Sequence, residues 1–138
     1  MREVSGVGAS AHVLTKNVLF DKMLVFSGYP ETNSVHTNRE LARSLGLPDA
    51  IGQGLQTYGY MCEWLVDYFG EDWYKGGRLI VSFLSLVVPG DTLYVKACEE
   101  ETQEVDEGDH IILAIWCENA SGQKVAAGTA SATIRHKG

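Results

Sequence analysis

Glu31 and His36 stand five positions apart with Asn33 between them, in the stretch Glu31-Thr32-Asn33-Ser34-Val35-His36. A carboxylate and an imidazole so close together can share acid and base work on one substrate. Farther along, Ile51-Gly52-Gln53-Gly54-Leu55 opens an apolar helix. A helix start carries backbone N–H groups with no intrahelical acceptor, and its dipole favours negative charge there. A base, a second polar group and such a helix start are the parts that proton transfer beside a thioester or ketone carbonyl needs, because the carbonyl oxygen gains charge as the proton moves. The remaining histidines, His12, His110 and His136, fall in or beside strands, away from any carboxylate cluster with ligand spacing, so no metal site is expected.

The elements that must hold these groups are helices in the first half and strands in the second. Residues 1–15 alternate around His12-Val13-Leu14 and suggest a first strand. Asn17 can cap a helix from Val18 to Ser27, with Leu19, Met23 and Phe26 at helical spacing. Thr37 and Glu40 have the spacing of a capping box for a short helix that stops at Gly46, which sets His36 just before a helix start. From about Gln53 to Phe69, the residues Leu55, Tyr58, Cys62, Leu65, Val66 and Phe69 form a broad apolar stripe, closed by Gly70. The segments 78–88, 91–105, 110–119 and 123–136 then read as strands, separated by Pro89-Gly90-Asp91, Glu107-Gly108-Asp109 and Ala120-Ser121-Gly122. Short connections predict an antiparallel meander. Ala126, Gly128, Ala130 and Ala132 on one face of the last strand leave room for a helix to pack close.

The order of these parts resembles the MaoC-like hydratases and dehydratases, a hot-dog-fold family that includes (R)-specific enoyl-CoA hydratases. The family signature runs Ser-Gly-Asp-x-Asn-Pro-x-His and then an Ala-His-Gly-Met turn. Here Ser27-Gly28-Tyr29-Pro30-Glu31-Thr32-Asn33-Ser34-Val35-His36 and Ile51-Gly52-Gln53-Gly54-Leu55 correspond. Glu31 stands for the family Asp when counted back from His36, Tyr29 when counted forward from Ser27, and a two-residue insertion reconciles the ends. Ser34 replaces the usual Pro, and Gln53 the usual His. The run from Gly77-Arg78-Leu79 to Val88-Pro89-Gly90-Asp91 is similar to the family's strand and following turn, so the resemblance covers nearly the whole chain.

The resemblance implies an α+β hot-dog fold, an antiparallel sheet wrapped around a long central helix, as one domain over residues 1–138. It implies a hydratase or dehydratase of an acyl-CoA-type thioester, with Glu31 and His36 catalytic, Asn33 and Gln53 beside the substrate, and the Gly54 N–H in the oxyanion hole. No cofactor is implied beyond CoA as part of the substrate, and a homodimer or higher homo-oligomer is expected. Two other readings stay open. The chain could keep the acyl pocket without the chemistry, as an acyl-thioester-binding protein or the inactive half of a heteromer. It could also be a hot-dog thioesterase, whose carboxylate lies on the central helix, where this chain has Glu63 and Asp67. Tyr58, Tyr60, Trp64, Tyr68 and Trp73 are aromatic enough to line a bulky acyl pocket, or to be core.

A chain of 138 residues with 45% hydrophobic and 21% charged residues has the composition of one ordinary globular domain. A net charge of −7 disfavours sequence-independent binding to nucleic acid or to an anionic membrane. Cys62, Cys98 and Cys117 show no C-x-x-C spacing and sit in apolar runs, as buried reduced thiols of a cytosolic protein would. No leader pattern and no apolar run of membrane-spanning length stands out, so a soluble cytoplasmic protein is expected.

Overall fold

The computed structural model describes residues 8–9, 12–28 and 33–137. Strands β1 (Gly8–Ala9) and β2 (Leu14–Asn17) precede helices α1 (Phe20–Ser27), α2 (Arg39–Ser44) and α3 (Gly54–Phe69). A 3-10 turn over Gly70–Tyr74 leads into β3 (Arg78–Phe83), β4 (Thr92–Val105), β5 (Gly108–Asn119) and β6 (Lys124–Arg135). The sheet is antiparallel throughout, in the order β1-β4-β5-β6-β3, with β2 paired to β4 beside β1.

The core lies between α3 and the concave face of the sheet, which is the hot-dog arrangement. Alternation selects the sheet's buried side: Leu93, Val95 and Ala97 on β4, and Ile111, Leu113, Ile115 and Cys117 on β5. On β6 the expected small face is buried at Ala126, Ala130 and Ala132. Gly128 is required for a different reason: a Cβ there would lie 1.8 Å from the Ile80 carbonyl oxygen, so its hydrogen lets β3 close against β6. Against this surface α3 buries Thr57, Met61, Trp64, Leu65 and Phe69. The predicted stripe shares Leu65 and Phe69 with that set but is rotated, leaving Leu55 62% exposed. A helix apolar on two sides satisfies helical spacing in either phase. The small residues of β6 favour the phase that buries the large Trp64 and Met61.

The meander prediction holds for β4, β5 and β6 and fails for β3. That strand pairs with β6, not β4, so residues 84–91 form a crossover between opposite sides of the sheet. β3 also ends at Phe83, short of the predicted 88, because the Leu84 and Ser85 N–H groups both turn to the Val125 carbonyl. The crossover is anchored at its far end, where Val18 and the Gly90-Asp91 turn exchange two backbone hydrogen bonds of 2.8 Å. Those bonds hold Val18 extended. Asn17 is therefore the last residue of β2 and accepts a hydrogen bond from the Thr92 hydroxyl, and α1 starts only at Phe20 behind an uncapped Leu19. Within α1, Met23 is buried and Phe26 exposed, and Leu19 just before the helix is exposed as well. The first strand predicted over residues 1–15 is represented by β1 and the start of β2, the rest of that span lying mostly outside the described residues.

All three cysteines are free thiols. Cys117 is buried, whereas Cys62 and Cys98 are half-buried rather than fully enclosed. Burial raises the Cys117 thiol to about 12, with the Glu118 charge adding to the effect. No helix among the described residues is long and apolar enough to cross a membrane.

Candidate active site

His36 sits in a tight turn whose hub is Ser34. The Ser34 carbonyl accepts from the Thr37 and Asn38 N–H groups, and its hydroxyl accepts from the His36 N–H at 3.2 Å. The Thr37 hydroxyl accepts from the Ser34 N–H at 3.0 Å. Ser34, at the usual proline position of the motif, thus replaces ring rigidity with hydrogen bonds. The residue that caps α2 is Asn38, not Thr37: the Asn38 carboxamide oxygen accepts from the Leu41 N–H at 3.0 Å, while Thr37 is buried and committed to Ser34. Asn33 adopts a left-handed φ of 49° and its side-chain Oδ1 accepts from Asn38 Nδ2 at 2.9 Å.

A second loop, residues 47–53, lies against this turn. Arg39 Nε and Nη2 donate to the two carboxylate oxygens of Asp49 at 2.9 and 2.8 Å, and Asp49 also accepts from the Ala50 N–H. This bidentate contact, helped by the Ala50 N–H and by Arg43, lowers the Asp49 carboxyl to about 2. The Ile51 N–H donates to the Val35 carbonyl at 3.0 Å, and the Gly52 N–H to the Val87 carbonyl of the crossover at 2.7 Å. Between these, His36 Nδ1 lies 2.8 Å from the Ile51 carbonyl oxygen. A carbonyl oxygen can only accept, so Nδ1 carries the hydrogen. Nε2 is then the nitrogen with a lone pair, the form a base needs.

The imidazole forms one wall of a cavity of about 250 Å³. Gly52 before α3 and Gly54 and Thr57 on it line the cavity, as do Phe83 at the end of β3 and Ser85, Leu86 and Val87 of the crossover. Gly54 is the first residue of α3, behind an N-cap Gln53 whose side chain makes no capping bond. Among the described residues no acceptor meets the Gly54 N–H. The site therefore joins a base and an unpaired helix-start donor on the wall of one mostly apolar cavity.

Of the residues singled out in the sequence, the structure brings His36 and Gly54 to this cavity. Glu31 lies outside the described residues. Asn33 is exposed and holds the turn instead of lining the cavity. Gln53 borders an adjoining space of about 10 Å³, with Val18, Gln56, Thr57 and Tyr60. Glu63 is paired with Lys16 at 2.8 Å and Asp67 lies 3.9 Å from His12, so neither central-helix carboxylate faces the cavity. Trp64 is core and stacks between His12 and Tyr68; Tyr60, Tyr68 and Trp73 pack against the core; Tyr58 is half-buried outside it; and none of the five lines the His36 cavity. Sequence reasoning missed the crossover wall, because it followed from β3 joining β6. It also missed the Arg39–Asp49 clamp and Thr57, a lone polar residue on the buried face of an apolar helix. Among the described residues there is no cluster of three or more His, Cys, Asp or Glu side chains that could hold a metal.

The fold is similar to that of several solved structures. R-hydratase PhaJ1 from Pseudomonas aeruginosa superposes with a TM-score of 0.76 at 18% identity, over 98% of this chain and 83% of that one. The ChsH1-ChsH2 complex from Mycobacterium tuberculosis gives 0.75 at 17% identity, over 96% of this chain and 100% of that one. The (R)-hydratase from A. caviae involved in PHA biosynthesis gives 0.71 at 15% identity, over 97% and 99%. No curated protein sequence gives a significant match. The MaoC like domain matches residues 10–129, which spans β2 through the first half of β6 and takes in both site loops and the crossover. The chain belongs to the MaoC-like domain family.

Proposed function

We propose that this chain is a hydratase or dehydratase of an acyl-CoA-type thioester, carried by a single domain over residues 1–138. The observation that carries the reading is the 2.8 Å contact of His36 Nδ1 with the Ile51 carbonyl, which leaves Nε2 as the basic nitrogen of a ring on the same cavity as the Gly54 N–H. In hydration, water attacks C3 of an α,β-unsaturated thioester as a base takes its proton. The electron pair of the C2–C3 double bond moves toward the thioester oxygen. That oxygen accepts from the Gly54 N–H, and C2 then takes a proton. His36 Nε2 is assigned to proton transfer together with Glu31, which stands where the family motif has its acid. Preorganised donors of this kind contribute on the order of 3 kcal/mol each. The (R)-hydratases among the similar structures support the reaction class.

The test is hydration of crotonyl-CoA and a bulkier enoyl-CoA by the wild type and His36→Ala. Loss of at least about 100-fold is expected. An active wild type with an equally active variant would overturn the site. The heteromeric ChsH1-ChsH2 complex favours a second reading, in which the chain binds acyl thioesters as one half of a larger assembly. A wild type that binds acyl-CoA by calorimetry yet hydrates neither substrate would establish that reading instead. We further propose a homodimer or higher homo-oligomer, a reading supported by β3, an edge strand that exposes Ile80 at 66% and Phe83 at 53%. Sedimentation of a monomer at micromolar concentration would contradict this.

A further inference from the structure

Thr57 and Thr37 are the two buried polar residues among those described, at 4% and 1% exposure. The Thr37 hydroxyl is accounted for by Ser34. The Thr57 hydroxyl has no protein partner among the described residues. It does not bond back to the preceding helical turn, the usual refuge of a threonine inside a helix. Nor is it sealed in: the fully enclosed unpaired side-chain atoms among the described residues are Ser27 Oγ and Glu99 Oε2. Thr57 lines both the His36 cavity and the adjoining space of about 10 Å³. The small space has room for one water at most, so the cavity of about 250 Å³ is where a ligand can meet the hydroxyl. Ser85, another polar wall residue, is already engaged by Gln123 Nε2 at 3.0 Å. Most of the remaining wall is hydrocarbon, from Ile51, Phe83, Leu86, Val87 and Val125.

The position of Thr57 narrows what that partner is. It follows Gly54 by three residues on α3, and side chains at that spacing share a helix face about 5–6 Å apart. A ligand whose thioester oxygen takes the Gly54 N–H therefore has its C3 substituent within reach of the Thr57 side chain. Purely hydrocarbon substrate atoms at that point would strip water from the hydroxyl without replacing its hydrogen bond. Resting on the hydratase reading above, we propose that Thr57 is a further substrate-binding residue, whose hydroxyl hydrogen-bonds the oxygen at C3, either the water that adds or the hydroxyl that leaves. The residue then distinguishes 3-hydroxyacyl thioesters from saturated ones of equal length.

Calorimetry on the full chain tests this without requiring turnover, using 3-hydroxybutyryl-CoA and butyryl-CoA with wild type, Thr57→Val and Thr57→Ser. The wild type is expected to prefer the hydroxylated ligand by about tenfold, which is about 1.4 kcal/mol. Thr57→Val keeps the shape, so it should lose that preference while its melting temperature stays level or rises, since an unpaired buried hydroxyl is removed. Thr57→Ser should restore the preference. An equal preference in wild type and Thr57→Val overturns the proposal, as does a wild type that shows no preference or binds neither ligand. A marked fall in the melting temperature of Thr57→Val also overturns it, because the hydroxyl would then serve the fold. The hydratase reading fails separately, on a wild type that binds but does not hydrate crotonyl-CoA.

Discussion

Gly54→Ala separates the role of the α3 start from that of the helix itself. A Cβ on Gly54 would stand 3.0 Å from Phe83 Cζ and 3.1 Å from Cδ1 and Cε1. Carbon atoms are comfortable at about 3.5–4.0 Å, so the ring or the helix start must give by roughly 0.5–1 Å. Alanine is favoured over glycine in a helix by up to about 1 kcal/mol, which offsets much of the clash, and the melting temperature should move by only a few degrees. Activity should respond far more, because a displacement of about 1 Å at reacting groups costs roughly 100-fold. Hydration of an enoyl-CoA is therefore expected to fall about 100-fold in Gly54→Ala with the fold intact. Phe83→Ala removes the obstructing ring, so adding Gly54→Ala to that background should cost much less, a coupling that a double-mutant cycle measures. Wild-type activity in Gly54→Ala would refute the assignment of the Gly54 N–H. An equal loss with and without Phe83 would refute the clash as its cause.

Glu31→Gln keeps size and reach but removes the basic oxygen, so turnover should drop at least about 100-fold while acyl-CoA affinity measured by calorimetry holds; unchanged turnover would take Glu31 out of the mechanism. Asp49→Asn should loosen the loop that positions the Ile51 carbonyl, at a stability cost of about 0.2–1 kcal/mol for a partly exposed pair. Because the folded Asp49 carboxyl is lowered to about 2 from an ordinary value near 3.9, its stabilisation is complete above about pH 4 and fades as pH falls toward 2. Urea unfolding midpoints of wild type and Asp49→Asn should thus differ at pH 7 and converge near pH 2, and a gap constant across that range would contradict the clamp.

Much of the fold was legible because its signals are local. Gly70 ends α3 as expected, with φ of 63°, and the strand periodicity of β5 selects its buried side without ambiguity. What escaped is non-local. The partner of β3 depends on Gly128 admitting the Ile80 carbonyl, a contact between segments far apart in sequence, and no turn signal announces it. The rotated face of α3 likewise depends on the volume available across the sheet. Motif spacing singled out His36 and Gly54, which line one cavity in the structure. Asn33 and Gln53 carried the same motif but take up turn and cap positions, because spacing assigns a residue to a loop and not to a side of it.

The anchoring of His36 also bears on how protons are divided at the site. With Nδ1–H committed to Ile51, the ring has one nitrogen for the substrate, and that nitrogen holds one proton at a time. Hydration removes a proton from water and delivers one to C2. A lone imidazole can do both only by passing the water's own proton on to C2, which requires both atoms to lie on the same side of the bound acyl group. A second titratable group relaxes that constraint, since one takes the proton while the other gives it, as paired acid and base residues do. Glu31 is the residue the motif offers for this. The loss in Glu31→Gln consequently measures how the work is shared: a full loss means two groups with separate protons, and a small one means that His36 Nε2 carries a single proton across the same face.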